Sequence, residues 1–366
     1  MKKGLFKYHF RLKSKDSEQV ITNCDDILHE LELFYADLYK ENKNNNGIDD
    51  EVNFFEPGGN DFLDDQDISY LDEPISEVEV LNALKSCRNG SAPGLDGLPA
   101  EVYKFFWDDI RIPLMKCYYE VLSKGQLSSS QRIGVICLHY KGKGLDRELI
   151  SNWRPISLTN FDYKLLAKTF AMRLETCVEK CIDLDQYAFI KGRNISDMLR
   201  EIDDTIEYNK LTDSKSIILS IDYAKAFDTL SLSAIIKALK FYGFGNVFIG
   251  YIKTLLTDRE SCIRNGGHMS NRFQMERGVR QGCPIAPFLF ILTSELLAKN
   301  IRRDKNIRGV SLPGRNEPLK IKMYADDTTF FFRDEMDYRE VLSKIKAFAN
   351  CTGLKLNKNK SYAMKM

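Results

Sequence analysis

Leu319-Lys320-Ile321-Lys322-Met323-Tyr324-Ala325-Asp326-Asp327-Thr328-Thr329-Phe330-Phe331-Phe332 holds two strand-forming runs on either side of an acidic pair. Apolar and basic residues alternate on the way in, and β-branched and aromatic residues follow on the way out, with Asp326-Asp327 where a β-hairpin would turn. The dipeptide alone carries no information. It occurs six times in the chain, and the other five copies (25–26, 49–50, 64–65, 108–109, 203–204) lie in polar or helical surroundings where exposure to water explains them. Only at 326–327 do strand formers flank it on both sides.

A second acidic position has the same character. Ser216-Ile217-Ile218-Leu219-Ser220-Ile221 is a short β-branched run suited to a buried strand, and it ends at Asp222. A carboxylate there is costly unless something neutralises it. Leu232, Ile235, Ile236 and Leu239 then follow helical spacing, closed by Gly243 and Gly245. Two such strands side by side would gather three carboxylates, for which hard divalent cations with oxygen ligands are the usual neutralisers. A pair of Mg2+ ions, with Mn2+ as a substitute, suits phosphoryl transfer, because Mg2+ favours a few carboxylates plus substrate phosphates. A plain hairpin turn and a helix cap are the competing account of the same residues.

The rest of the 366-residue chain bounds the possibilities. Its 43% hydrophobic and 29% charged content is that of an ordinary globular protein of two or three lobes. No apolar run is long enough for a membrane span, so no membrane partner is expected. Nine cysteines without a C-x-x-C pair read as reduced, intracellular thiols, with nucleus and cytoplasm not distinguished, and the four scattered histidines offer no zinc site. The net charge of +1 conceals an asymmetry: residues 1–80 carry 8 Lys/Arg against 20 Asp/Glu, which leaves 45 basic and 32 acidic residues in 81–366. A body with a net +13 suits a polyanion.

Periodicity predicts an amphipathic helix within 17–40, a linker over 41–67, and helices from Ser76 to about Arg88, around 101–107, around 114–123 and over 163–181. The turn-rich Ser91-Ala92-Pro93-Gly94-Leu95-Asp96-Gly97-Leu98-Pro99 is a candidate functional loop, Gly134–Tyr140 a strand, and Lys141-Gly142-Lys143-Gly144 a glycine-rich basic turn.

Seven blocks follow one another in fixed order. Three are Ile221-Asp222-Tyr223-Ala224-Lys225-Ala226-Phe227-Asp228, Arg277-Gly278-Val279-Arg280-Gln281-Gly282-Cys283-Pro284-Ile285-Ala286-Pro287 and Tyr324-Ala325-Asp326-Asp327. The others start at Ala92, Asn152, Asp185 and Gly353, the last running to Lys360. Together they resemble the reverse transcriptases of non-LTR (LINE-like) retrotransposons. The resemblance implies Asp222 and Asp326 as metal ligands, with Asp327 beside them in the metal site. It implies Phe227 as a steric gate against a ribose 2′-hydroxyl, and Gln281 and Gly282 as lining for the incoming nucleotide and template base. Arg154 would grip the triphosphate, as would Lys141 or Lys143, and Lys360 would protonate departing pyrophosphate. For each a plain structural role competes: core aromatic for Phe227, loop for Gln281-Gly282, solvated surface for Lys360.

The fold expected from this resemblance is α+β: a right-hand polymerase palm, an antiparallel sheet backed by helices, over 216–366, with helical fingers over 76–215 and an acidic helix and linker over 1–75. The family places a thumb after the palm and an endonuclease usually upstream. This chain stops six residues after Lys360, so the expectation is a fingers-palm unit without a thumb, to which a separate chain would supply thumb or endonuclease. The implied activity is RNA-directed DNA synthesis from dNTPs on an RNA template and a DNA primer. Two rivals are an inactive nucleic-acid-binding remnant and an RNA-templated RNA polymerase, the latter opposed by the bulk of Phe227.

Overall fold

A computed structural model describes residues 11–13, 20–41, 54–55, 62–142, 144–212 and 215–366. The architecture is mixed α+β, and the chain divides into two compact units, each assembled from separated segments. The first comprises 1–41, 74–170 and 250–286; the second comprises 42–73, 171–249 and 287–366.

In the first unit, strand Ile133–Tyr140 pairs antiparallel with Trp153–Thr159 and parallel with Arg259–Asn265. Two short strands, His268–Met269 and Phe273–Met275, complete the sheet on the far side of Arg259–Asn265. The N-terminal helix is Cys24–Tyr39, started by Asn23, whose side chain accepts from the Asp25 N–H. It buries Ile27, Leu31, Tyr35 and Tyr39 against Ile136, Ile263, Phe273 and Met275 of this sheet. The expected helix near 101–107 is two, Ala100–Phe105 and Trp107–Lys124, the second taking in the expected 114–123.

The second unit is built on a fully antiparallel four-stranded sheet. Its strands are β1 (Ile217–Ile221), β2 (Ile321–Tyr324), β3 (Asp327–Phe332) and β4 (Tyr362–Lys365), in the order β4-β1-β3-β2. Helices Leu232–Phe241 and Glu335–Thr352, and the helix Ala286–Arg303 from Pro287 onward, belong to the same unit. Phe330, Phe331 and Phe332 are all fully buried, so β3 is covered on both faces. This is why its sequence is a continuous apolar run rather than an alternation. Ile218 and Phe331 pack with Val310 and Leu319 on one side, while Phe330 and Phe332 stack together at 6.2 Å.

One expectation changes here, and one feature of the alternating run is new: Lys322 is 1% exposed and its Nζ pairs with Asp185 at 3.1 Å and Glu201 at 2.6 Å. The linker expected through Asp67 falls mostly outside the described residues, and its acidic end is helical: Asp65–Asp72. Asp64 caps it, accepting from the Asp67 N–H at 2.9 Å while Asp67 accepts from the Asp64 N–H at 3.1 Å. Acidic residues at a helix start satisfy N–H groups that have no partner within the helix.

The edge where β3 ends is tied by one buried carboxylate. Asp337 accepts from the backbone N–H groups of Arg308, Gly309 and Arg333 at 3.1, 3.1 and 2.9 Å. Replacing it with alanine strands three donors, and at about 1 kcal/mol or more for each we expect Asp337→Ala to cost roughly 3 kcal/mol in a urea titration.

Candidate active site

The antiparallel register of β1 and β3 sets Ile221 opposite Thr328, so the next position along each strand places Asp222 across from Asp327. On its other side β3 pairs with β2, Asp327 opposite Tyr324. The hairpin turn is therefore Ala325-Asp326, one residue earlier than the Asp-Asp pair itself, with Asp327 as the first residue of the strand. Ala325 has φ +57°, a left-handed position that costs a residue with a Cβ about 1 kcal/mol. The second unit thus brings Asp222, Asp326 and Asp327 to one end of its sheet.

Like charges across a strand pair repel, and the carboxyl groups register it. Asp326 is half-buried, and burial first, then the charges of Asp327 and Asp222, raise its carboxyl pKa above the ordinary 3.8. Its own backbone N–H and Lys360 oppose the rise. Asp327 is exposed by area, yet partial burial and then the charge of Asp222 move it in the same direction, with Lys360 again opposing.

Asp222 is stabilised by the segment after Gly353. Its Oδ2 accepts from Asn357 Nδ2 at 2.8 Å and lies 3.6 Å from Lys360 Nζ. Its backbone is gripped too: its carbonyl accepts from the Asn357 N–H at 2.8 Å, and its N–H donates to Ser361 Oγ at 3.4 Å. Lys360 is therefore beside Asp222, largely exposed, where an ion pair adds little stability. Asn357 is the residue that sequence reasoning passed over. It stands inside the block Gly353–Lys360, but a neutral asparagine gives no charge or spacing signal of its own.

Phe227 lies in the short helix Ala226–Thr229 of the same unit. Its half-buried ring stacks on buried Phe290, centroids 4.6 Å apart and planes 20° apart, so it is held from behind.

The other expected site residues belong to the first unit. Arg154 is exposed on strand Trp153–Thr159, directly opposite His139. Lys141 lies just beyond that pairing: its N–H donates to the Asn152 carbonyl at 3.0 Å and its Nζ to the Ser151 carbonyl at 2.7 Å. Lys143 lies outside the described residues. Gln281 joins the edge of Trp153–Thr159, its carbonyl accepting from the Ser157 N–H at 2.9 Å. Gly282 has φ +106°, and a Cβ there would come within 3.2 Å of the Ser157 carbonyl oxygen, so glycine is required for this close passage.

Among the described residues no group of three or more His, Cys, Asp or Glu side chains is placed so as to hold a metal ion. The donor set of Asp222, Asp326 and Asp327 is nonetheless all hard oxygen, crowded with negative charge, and suits a divalent cation that takes its remaining ligands from substrate and water. Because the Asp326 carboxyl is raised in the folded protein, its charge disfavours folding above its ordinary value. The penalty is complete above the folded pKa and vanishes below about 3.8, where both states are protonated. Asp326→Asn should therefore raise the melting temperature at pH 7 in EDTA, with the gain shrinking as the pH is lowered toward 4. Calorimetry at the two pH values checks this, and an unchanged or lower melting temperature at pH 7 would contradict it.

Residues 141–366 match the family model described as reverse transcriptase (RNA-dependent DNA polymerase). The chain is 33% identical over 291 residues to an uncharacterized 149 kDa protein of transposon TX1 from Xenopus laevis, covering 80% of this chain and 22% of that protein. It is 29% identical over 296 residues to the retrovirus-related Pol polyprotein of type-1 retrotransposable element R2 from Popillia japonica, 80% of this chain and 39% of that one. With the corresponding polyprotein of type-2 element R2DM from Drosophila melanogaster the identity is 25% over 274 residues, 75% and 25% of the two chains. The chain thus spans about a fifth to two fifths of the length of these curated relatives. With a family model covering more than half of its residues and relatives of this kind along most of its length, the chain belongs to the reverse transcriptase family, on its non-LTR retrotransposon branch.

Proposed function

We propose that this chain is the polymerase part of a retrotransposon protein and copies RNA into DNA, extending a DNA primer with dNTPs. The observation that carries the reading is Asp222 set across from Asp327 by the β1–β3 register, with Asp326 in the adjoining turn. In this reading 216–366 is the palm, with the antiparallel sheet of β1 to β4 at its heart, and 76–215 is the fingers.

Asp222, Asp326 and Asp327 would hold two Mg2+ ions, or Mn2+ in their place. When bound, such ions lower the pKa of the attacking primer hydroxyl and offset charge on the departing pyrophosphate. The residues of the chain do the remaining work. Asn357 holds Asp222 in one orientation through the hydrogen bond to Oδ2. Lys360, beside the same oxygen, is the proton source for pyrophosphate. Arg154 presents a guanidinium fork to triphosphate oxygens, assisted by Lys141 or Lys143. Gln281 and Gly282 line the nucleotide, where the missing Cβ lets a substrate approach the backbone. Phe227, braced by Phe290, excludes the ribose 2′-hydroxyl and so selects deoxynucleotides.

The direct test is primer extension on a homopolymer RNA template with Mg2+ or Mn2+. Asp222→Ala should reduce it to below about 1% of the wild-type rate, as expected when charge stabilisation at a transition state is lost, with circular dichroism unchanged. Extension at the original rate would remove Asp222 from the site. A wild-type chain that binds template and primer yet extends nothing with either ion would be the nucleic-acid-binding remnant. Phe227→Ala should increase incorporation of ribonucleotides relative to deoxynucleotides by roughly 10- to 100-fold, the range for relieving a steric exclusion. An unchanged ratio would show that the ring is only packing.

A further inference from the structure

The outer edge of β2 is covered by the segment 185–188. The Met323 N–H donates to the Asp185 carbonyl at 2.8 Å, and the Tyr187 N–H donates to the Met323 carbonyl at 2.9 Å. From β2, Lys322 reaches the Asp185 carboxylate, the Glu201 carboxylate and the Tyr187 hydroxyl, the last at 3.2 Å, which locks this segment in place.

Between these ties lies Gln186, fully buried. Its Oε1 accepts from two backbone N–H groups, Ala188 at 3.0 Å and Ala325 at 3.0 Å. The two donors fix the amide's orientation, because an NH2 group in that place would meet donors only. Its Nε2 is consequently buried with no hydrogen-bond partner among the described residues. A methionine would fill the same space without an unmatched donor, so what the glutamine contributes beyond shape is the acceptor. A glutamate would contribute it as well, but would add a fourth negative charge beside Asp222, Asp326 and Asp327.

Ala325 is the left-handed residue of the β2–β3 turn, and the next residue is Asp326. We propose that Gln186 is a positioning residue whose side-chain carbonyl holds the Ala325-Asp326 turn, keeping Asp326 and Asp327 at the spacing that a divalent cation needs. This rests on the assignment of those carboxylates as metal ligands.

Three proteins test it: wild type, Gln186→Met, which keeps the shape and loses the acceptor, and Gln186→Glu, which keeps the acceptor. Amide hydrogen exchange at Ala325 should be slow in wild type and Gln186→Glu. It should be faster by about 10-fold or more in Gln186→Met, with the β3 amides from Thr329 to Phe331 unchanged. Mn2+ affinity, read by electron paramagnetic resonance without turnover, should fall about 10- to 100-fold in Gln186→Met, the range for losing a partner behind a metal ligand. It should not fall in Gln186→Glu, where the added negative charge favours a cation. In primer extension Gln186→Met should lose kcat and need more Mg2+ while its KM for dNTP stays within about twofold.

Equal Mn2+ affinity in wild type and Gln186→Met, or equal losses in both variants, would overturn the proposal. If Gln186→Met does not fold, the wild type and Gln186→Glu decide: free exchange at Ala325 in wild type, or weakened Mn2+ binding in Gln186→Glu, overturns it. A wild type that binds Mn2+ but extends no primer would defeat the polymerase reading and leave this inference to be judged on exchange and Mn2+ binding alone.

Discussion

The pairing of β1 with β3 is the constraint on which the rest of the second unit depends. It aligns two buried strands so that each delivers an aspartate to the same end of the sheet. Mutual repulsion opposes this alignment: after burial, the charge of Asp222 raises the carboxyl groups of both Asp326 and Asp327. Burial imposes it. Phe330, Phe331 and Phe332 are sequestered on both faces of β3, and a slip of one residue would exchange the faces of all three. The apolar run thus carries the electrostatic strain of the acidic end.

Around that end, support comes from segments far away in the chain. Asn357, Lys360 and Ser361 reach Asp222 from more than 130 residues downstream. They convert a strand terminus into a carboxylate with a defined orientation. Asp337 serves the opposite end of β3, where three backbone donors converge on one buried carboxylate. The sheet is therefore pinned at both ends by acidic side chains with different duties. At one end the charge is matched by backbone donors; at the other it is crowded by like charge.

The strand at 134–140, the strand before Asp222, the hairpin around Asp326-Asp327, several helices and the acidic positions were legible in the sequence because each has a local signature, whereas the strands Trp153–Thr159, Arg259–Asn265 and Tyr362–Lys365 were not anticipated. Ile217–Ile221 is a β-branched run, Leu232–Phe241 shows helical spacing, and Asp326-Asp327 stands out by the strand formers around it. The misreadings share one cause. Alternation in the sequence does not reveal that Lys322 is buried against Asp185 and Glu201. The acidic residues near Asp64 looked like solvated linker because capping depends on where a helix begins. The turn came one residue early because the pairing partner of Asp327 is Tyr324, a matter of register and not of composition.

By itself the sequence determined that three carboxylates terminate strand-like segments, that the body behind them is basic, and that seven blocks follow the order of a known family. These are properties of residue type and spacing, which survive without coordinates. Tertiary structure alone decided that Asp222 faces Asp327, that Asn357 orients the first of them, and that Gln186 holds the turn beside Asp326. Each of those relations joins residues more than a hundred positions apart through a hydrogen bond or a strand register. Such directional contacts exist only once burial has brought the partners together, and no local pattern encodes them.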